Sequence, residues 1–344
     1  MTGRATTSAR MIPVSVLDLS PIVEGSDAGQ SLRNSADLAR HVERLGYKRF
    51  WMAEHHSMPG IASAATAVAL AYVGSQTSTI RIGAGGIMLP NHAPLIIAEQ
   101  FGTLESLFPG RVDLGLGRAP GTDQAAAYAM RRNLASDADR FPQDIVELMG
   151  YFKGENGRVR AIPGEGLNIP IWILGSSLFG AQLAAMLGLP YAFASHFAPQ
   201  MIVDAVKIYR ERFEPSEQLD RPYVMLGFNA IVAPTDEEAQ LLATSVQQAF
   251  VALRSGHPIQ LPPPRPGYAD ELPLEDRAIL RSVLSASAIG SPETARRQAK
   301  EFIERTRPDE LIVTAQVYDH QARLRSYELF MEAVRQPQPV AGEL

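Results

Sequence analysis

The stretch from Thr79 to Asp123, TIRIGAGGIMLPNHAPLIIAEQFGTLESLFPGRVDLGLGRAPGTD, decides the fold. It reads as strand, Gly-rich turn, amphipathic helix, Pro-Gly turn and a second strand. Ile80, Ile82, Ile87, Met88 and Leu89 form an apolar run interrupted by Gly83, Gly85 and Gly86. A buried strand carries glycines where it must bend or let another group come close. Pro94 suits a first helical turn, and Leu95, Ile97, Ala98, Phe101, Leu104, Leu107 and Phe108 follow at helical spacing until Pro109-Gly110. Val112, Leu114 and Leu116 make the next strand, which delivers Arg118. A crossover of this length sets the two strands parallel. Their carboxyl ends then open on one side, so Gly85, Gly86 and Arg118 become neighbours and a ligand is expected there.

Outward from this unit the rhythm persists. Strands are expected at 12–20, 48–54, 170–174, 191–194, 223–233 and 310–315. Helices are expected at 27–45, 62–76, 122–128, 137–152, 178–187, 199–213, 236–253, 275–287, 292–306 and 319–334. About eight βα units without a composition boundary predict an α/β fold, a (β/α)8 TIM barrel with one insertion after strand 7. The insertion is the segment 255–274, whose six prolines rule out regular structure and suggest a lid loop. Residues 12–335 are thus one domain, between a disordered leader (1–11) and a disordered tail (336–344).

The totals narrow the function. The 344 residues contain no cysteine, which excludes a Cys nucleophile, thiolate metal site or disulfide framework and fits a reducing, cytoplasmic setting. A net charge of -5 gives no reason to expect nucleic acid or an anionic membrane as partner. No apolar stretch approaches the length of a membrane helix. A near-match to a dinucleotide fingerprint, GLGRAPG at 115–121, lacks its third glycine, and no phosphate-binding P-loop or Ser nucleophile elbow is present.

Barrel enzymes carry their chemistry where strands end. Those positions hold Asp18, Glu54-His55-His56, Gly85-Gly86, Asn91-His92, Arg118, Ser176-Ser177, Ser195-His196 and Gln316. Adjacent histidines on an extended chain point to opposite faces, so one of His55 and His56 is an acid/base candidate and the other a packing residue. Their spacing does not favour a metal, and none is expected. Gly175-Ser176-Ser177 opens a helix whose free N–H groups favour an anion; with Arg118 it would cage a phosphate monoester. Asp18, His56, His92, His196 and Gln316 are pocket candidates.

The runs WMAEHH (51–56), GAGGIMLP (83–90), GRVDLGLGR (110–118) and GSS (175–177) with GLP (188–190) resemble, in order and spacing, the bacterial luciferase-like flavin-dependent monooxygenases. The similarity is greatest to a non-luminescent, substrate-unassigned bacterial branch. The resemblance implies a TIM barrel, a homodimer, and FMN received as FMNH2 from a separate flavin reductase. It also implies O2-dependent oxidation of a small organic substrate through a flavin hydroperoxide. It assigns the FMN phosphate to Arg118 and Ser176-Ser177, the ring to Gly85-Gly86 with its non-proline cis peptide, and the active-site base to His55. His56 becomes the structural neighbour, and 255–274 the mobile loop. Light emission is not implied, because Gly117 stands where the light-emitting subunit has a reactive cysteine. Two alternatives remain, a deazaflavin (F420)-dependent hydride-transfer oxidoreductase and a non-catalytic flavin-binding or partner subunit.

Overall fold

A computed structural model describes residues 12–118, 129–130 and 140–335. The expected leader, the tail and the helix at 122–128 lie outside the described residues. Eight parallel strands close into a barrel. They are β1 (Val14–Asp18), β2 (Arg49–Met52), β3 (Arg81–Met88), β4 (Val112–Gly117), β5 (Ile171–Gly175), β6 (Tyr191–Phe193), β7 (Val224–Val232) and β9 (Glu310–Thr314). Each pairs with the next, β7 with β9, and β9 with β1, so no barrel edge is left open.

The helices α1 (Ala28–Arg44), α2 (Thr66–Ser75), α3 (Pro94–Leu107), α4 (Phe141–Lys153), α5 (Leu178–Met186), α6 (Ile202–Arg212) and α7 (Asp236–Arg254) follow the strands, and α11 (His320–Arg335) closes the chain. Their ends obey the local chemistry. Asp27 caps α1 by accepting the Gln30 N–H at 2.7 Å, and α4 stops at Gly154, whose φ of 75° is left-handed. Among the described residues no helix is long and apolar enough to cross a membrane.

The insertion holds more order than its prolines suggest. After α7 come a short helix α8 (Tyr268–Glu271), α9 (Leu274–Val283), the strand β8 (Ser287–Gly290) and α10 (Pro292–Thr306). The helix expected over 275–287 therefore ends four residues early, and the chain turns extended. β8 pairs with the outer half of β7, from Asn229 to Val232, beyond the reach of the three-residue β6. A four-residue strand alternating buried and half-buried gives too short a period to read from sequence.

Inward-facing side chains fill the barrel in layers, because successive residues on a strand face opposite ways. At the amino-terminal end lies a buried ionic network. Asp113 accepts from Arg49 (2.7 Å), Arg81 (2.6 Å) and Trp51 Nε1 (3.1 Å). Glu310 accepts from Arg49 (2.9 Å), Lys48 (3.1 Å), Tyr223 (2.7 Å) and the Ser15 hydroxyl. The next layer is apolar, with Leu17, Trp51, Trp172, Met225 and Ile312, and the two indoles meet edge to face at 5.2 Å.

Candidate active site

Above the indoles the inward positions shrink to Ala53, Gly85, Gly115, Ala192 and Gly227, and neighbouring groups close over the glycines. The glycines at this level are sterically required. A Cβ on Gly85 would lie 2.7 Å from Leu17 and 3.1 Å from Trp51, and one on Gly86 would lie 2.8 Å from the Gly115 carbonyl. The Gly85–Gly86 peptide is cis, and the β3–β4 register slips between Ala84 and Ile87. His55 lies three residues past the end of β2, close enough to His196 to help lower that group's pKa.

Glu54 organises the rim. Its buried carboxylate accepts from His56 Nε2 (2.6 Å), His92 Nε2 (2.9 Å), the Asn91 amide (3.3 Å) and the Met88 N–H (2.9 Å). Burial works to raise its pKa, but these bonds and the two imidazoles outweigh it and hold the carboxyl below its ordinary value. The loops after β2 and β3 are thereby tied together around the cis peptide. Glu54, His56 and His92 also bring three potential metal-ligand atoms within 4.8 Å of one another. Those atoms are already engaged in the hydrogen bonds just described. His55 takes no part in the cluster; burial lowers its pKa, Glu54 opposes this and His56 reinforces it, so the imidazole is neutral at pH 7.

On the neighbouring strand, one residue past Gly117, the register partner of Met88, Arg118 follows β4 directly. Its guanidinium carbon lies 4.3 Å from the centroid of the Phe179 ring, in the first turn of α5. Ser177 is the N-cap of that helix, yet its side chain makes no capping bond, and Ser176 and Ser177 are both exposed. Arg118 and the two serines therefore share one corner of the rim. Gly175 accepts the Ala194 N–H there at 3.0 Å, joining the ends of β5 and β6. Arginine, hydroxyls without a hydrogen bond among the described residues, and first-turn N–H groups form a donor set suited to a phosphate monoester.

The remaining candidates divide. Asp18 is fully buried and ion-paired with Arg323 of α11 at 2.6 Å, which makes it a pin for the last helix. His92 belongs to the Glu54 cluster. Gln316 lies just past β9 and is half-buried. His196, in the turn after β6, sits against Gly227, where a Cβ would come within 2.2 Å of Nδ1. That nitrogen is buried without a hydrogen-bond partner among the described residues. Burial, reinforced by His55, pushes its pKa down to about 4.

A stability prediction follows from His196. Unfolded histidine protonates near 6.5 but His196 in the fold only near 4, so its contribution is complete above pH 6.5 and is lost as pH falls toward 4. Unfolding free energies measured across this window should fall less steeply for His196→Asn, by up to about 3 kcal/mol in total. Parallel curves would place the titration elsewhere.

The segment 255–274 crosses the loops after β1 and β2. Leu261 exchanges backbone hydrogen bonds with Ile22 and Glu24, both at 2.9 Å, and is buried. Gly60 leaves room for the Ile259 carbonyl, which would stand 2.5 Å from a Cβ. The Arg265 N–H reaches Thr244 of α7 at 2.8 Å. The expected lid is thus anchored at its centre. Sequence reasoning overlooked Phe179, which reads as another apolar helix residue, and the Arg49–Asp113–Glu310 network, whose members look like ordinary strand-end charges.

Comparison with known proteins accords with this architecture. The profile of the luciferase-like monooxygenases matches residues 12–310. A luciferase-like monooxygenase of Escherichia coli K12 is 50% identical over 325 residues, 94% of this chain and 97% of its own. An N-acetyl-S-alkylcysteine monooxygenase of Bacillus subtilis is 32% identical over 259 residues, 73% of this chain and 77% of its own. Among solved structures, apo-MsnO8 superposes with a TM-score of 0.88 at 34% identity, covering 95% of this chain and all of that one. A closed parallel barrel with a glycine-lined mouth, matched by sequence along almost its whole length, places this chain in the luciferase-like monooxygenase family.

Proposed function

We propose that the protein is an FMNH2- and O2-dependent monooxygenase of a small, mostly apolar organic substrate. Arg118, Ser176 and Ser177 would hold the FMN phosphate, aided by the first-turn N–H groups of α5. Gly85 and Gly86, with their cis peptide, would lie against the flavin ring. FMN bound there, supplied reduced by a separate reductase, brings the capacity to activate O2. The chain's own part is to bind and orient it, exclude water beneath the anchored 255–274 segment, and move a proton at His55. Val68 and Tyr72 on α2, 73% and 42% exposed, with Ile96 on α3, offer an apolar face that a homodimer would cover.

The observation that supports this reading is the convergence of Arg118 with the opening turn of α5, where the exposed Ser176 and Ser177 hydroxyls carry no hydrogen bond among the described residues. The test is FMN affinity by fluorescence quenching. Arg118→Ala should weaken it roughly 10- to 100-fold, the range expected when hydrogen bonds to a charged group are removed. Unchanged affinity would overturn the phosphate assignment.

A further inference from the structure

We propose that Phe179 is a positioning residue for phosphate recognition: its ring face fixes the Arg118 guanidinium over the opening turn of α5. The proposal rests on the reading of Arg118 as the phosphate-binding arginine and adds how a solvent-exposed arginine is kept ready for that task.

Phe179 has no packing explanation on its own helix. The buried face of α5 is formed by Gly180, Ala181, Leu183, Ala184 and Ala185, whereas Phe179 is 37% exposed. More than a third of this large aromatic side chain remains exposed beside two serines, and the Arg118 guanidinium lies over its ring, 4.3 Å from the centroid. An arginine carries several rotatable bonds, and ordering it on binding an anion opposes affinity. Stacking on a ring removes part of that loss in advance.

The kind of partner matters as much as the contact. A carboxylate would also immobilise the arginine, but it would consume the fork of N–H donors and cancel the charge. A ring face attracts the cation through its quadrupole and leaves the donors in the guanidinium plane free. The anion then meets a fixed arginine with its full charge and hydrogen-bonding capacity. Riboflavin, which has the same ring system and no phosphate, gains nothing from this device.

The test compares FMN and riboflavin binding by titration calorimetry for the wild type, Phe179→Leu, Phe179→Tyr and Arg118→Ala. Phe179→Leu should weaken FMN roughly 2- to 5-fold, as expected for an exposed cation–π contact, and leave riboflavin unchanged. Phe179→Tyr, which keeps a ring face, should bind FMN as the wild type does. If Phe179→Leu binds FMN normally while Arg118→Ala does not, the positioning role is wrong and the phosphate site stands. If Arg118→Ala also binds FMN normally, the phosphate site itself falls. Equal losses of FMN and riboflavin in Phe179→Leu would mean that the ring touches the flavin, and would overturn the proposal.

Discussion

Replacing Glu310 by alanine is expected to destabilise the protein by about 3–5 kcal/mol, the largest effect on stability of any single change considered. Its carboxylate is completely buried and receives hydrogen bonds from Ser15, Lys48, Arg49 and Tyr223. Burial would raise its pKa, but Arg49 and Lys48 prevail and lower it. Removing it leaves the buried Arg49 to share Asp113 with Arg81, and the excess buried positive charge accounts for most of the loss. Urea or thermal unfolding of Glu310→Ala against wild type measures it; a change under 1 kcal/mol would show the network to be dispensable. The pH dependence has a definite sign. Because the folded pKa lies below the unfolded one, Glu310 stabilises above the ordinary carboxylate range and its contribution fades as pH falls through that range.

The second large effect concerns chemistry. His55→Ala should retain FMN binding but lower kcat by roughly 10²- to 10⁴-fold, the span over which a positioned acid/base group acts. Burial lowers the imidazole's pKa and keeps it neutral at pH 7, so it is ready to accept a proton. The wild-type rate at saturating substrate should decline on the acid side as His55 becomes protonated, and the variant should lose that decline. Full turnover in His55→Ala would remove the residue from the mechanism, and loss of FMN binding would make its role structural.

The barrel was legible because one βαβ unit fixed strand direction and the remaining elements repeated it. The short β8 was not, since four residues carry too little period to distinguish a strand from a helix end. Strand-end reasoning brought Arg118 and Ser176-Ser177 to one corner, because parallel strands must release their carboxyl ends on one side. It did not separate lining residues from structural ones. Asp18 and His92 occupy strand-end positions as good as that of His55, yet each is engaged by a partner distant in sequence, Arg323 and Glu54. The ionic network could have been found from register alone: Arg49, Asp113 and Glu310 share inward parity with Trp51, Gly115 and Ile312. Phe179 carried no such signal, because its use depends on a side chain from another strand.

The ionic network and the glycine-lined mouth occupy opposite ends of the same strands, with a layer of indoles and aliphatic side chains between them. Libraries randomised at exposed loop positions of the rim, with the glycines, Glu54 and Asp18 kept, should therefore yield folded variants at high frequency, while substitutions at the opposite end should rarely do so. A new substrate preference can be selected by exchanging loops, with the foundations left untouched.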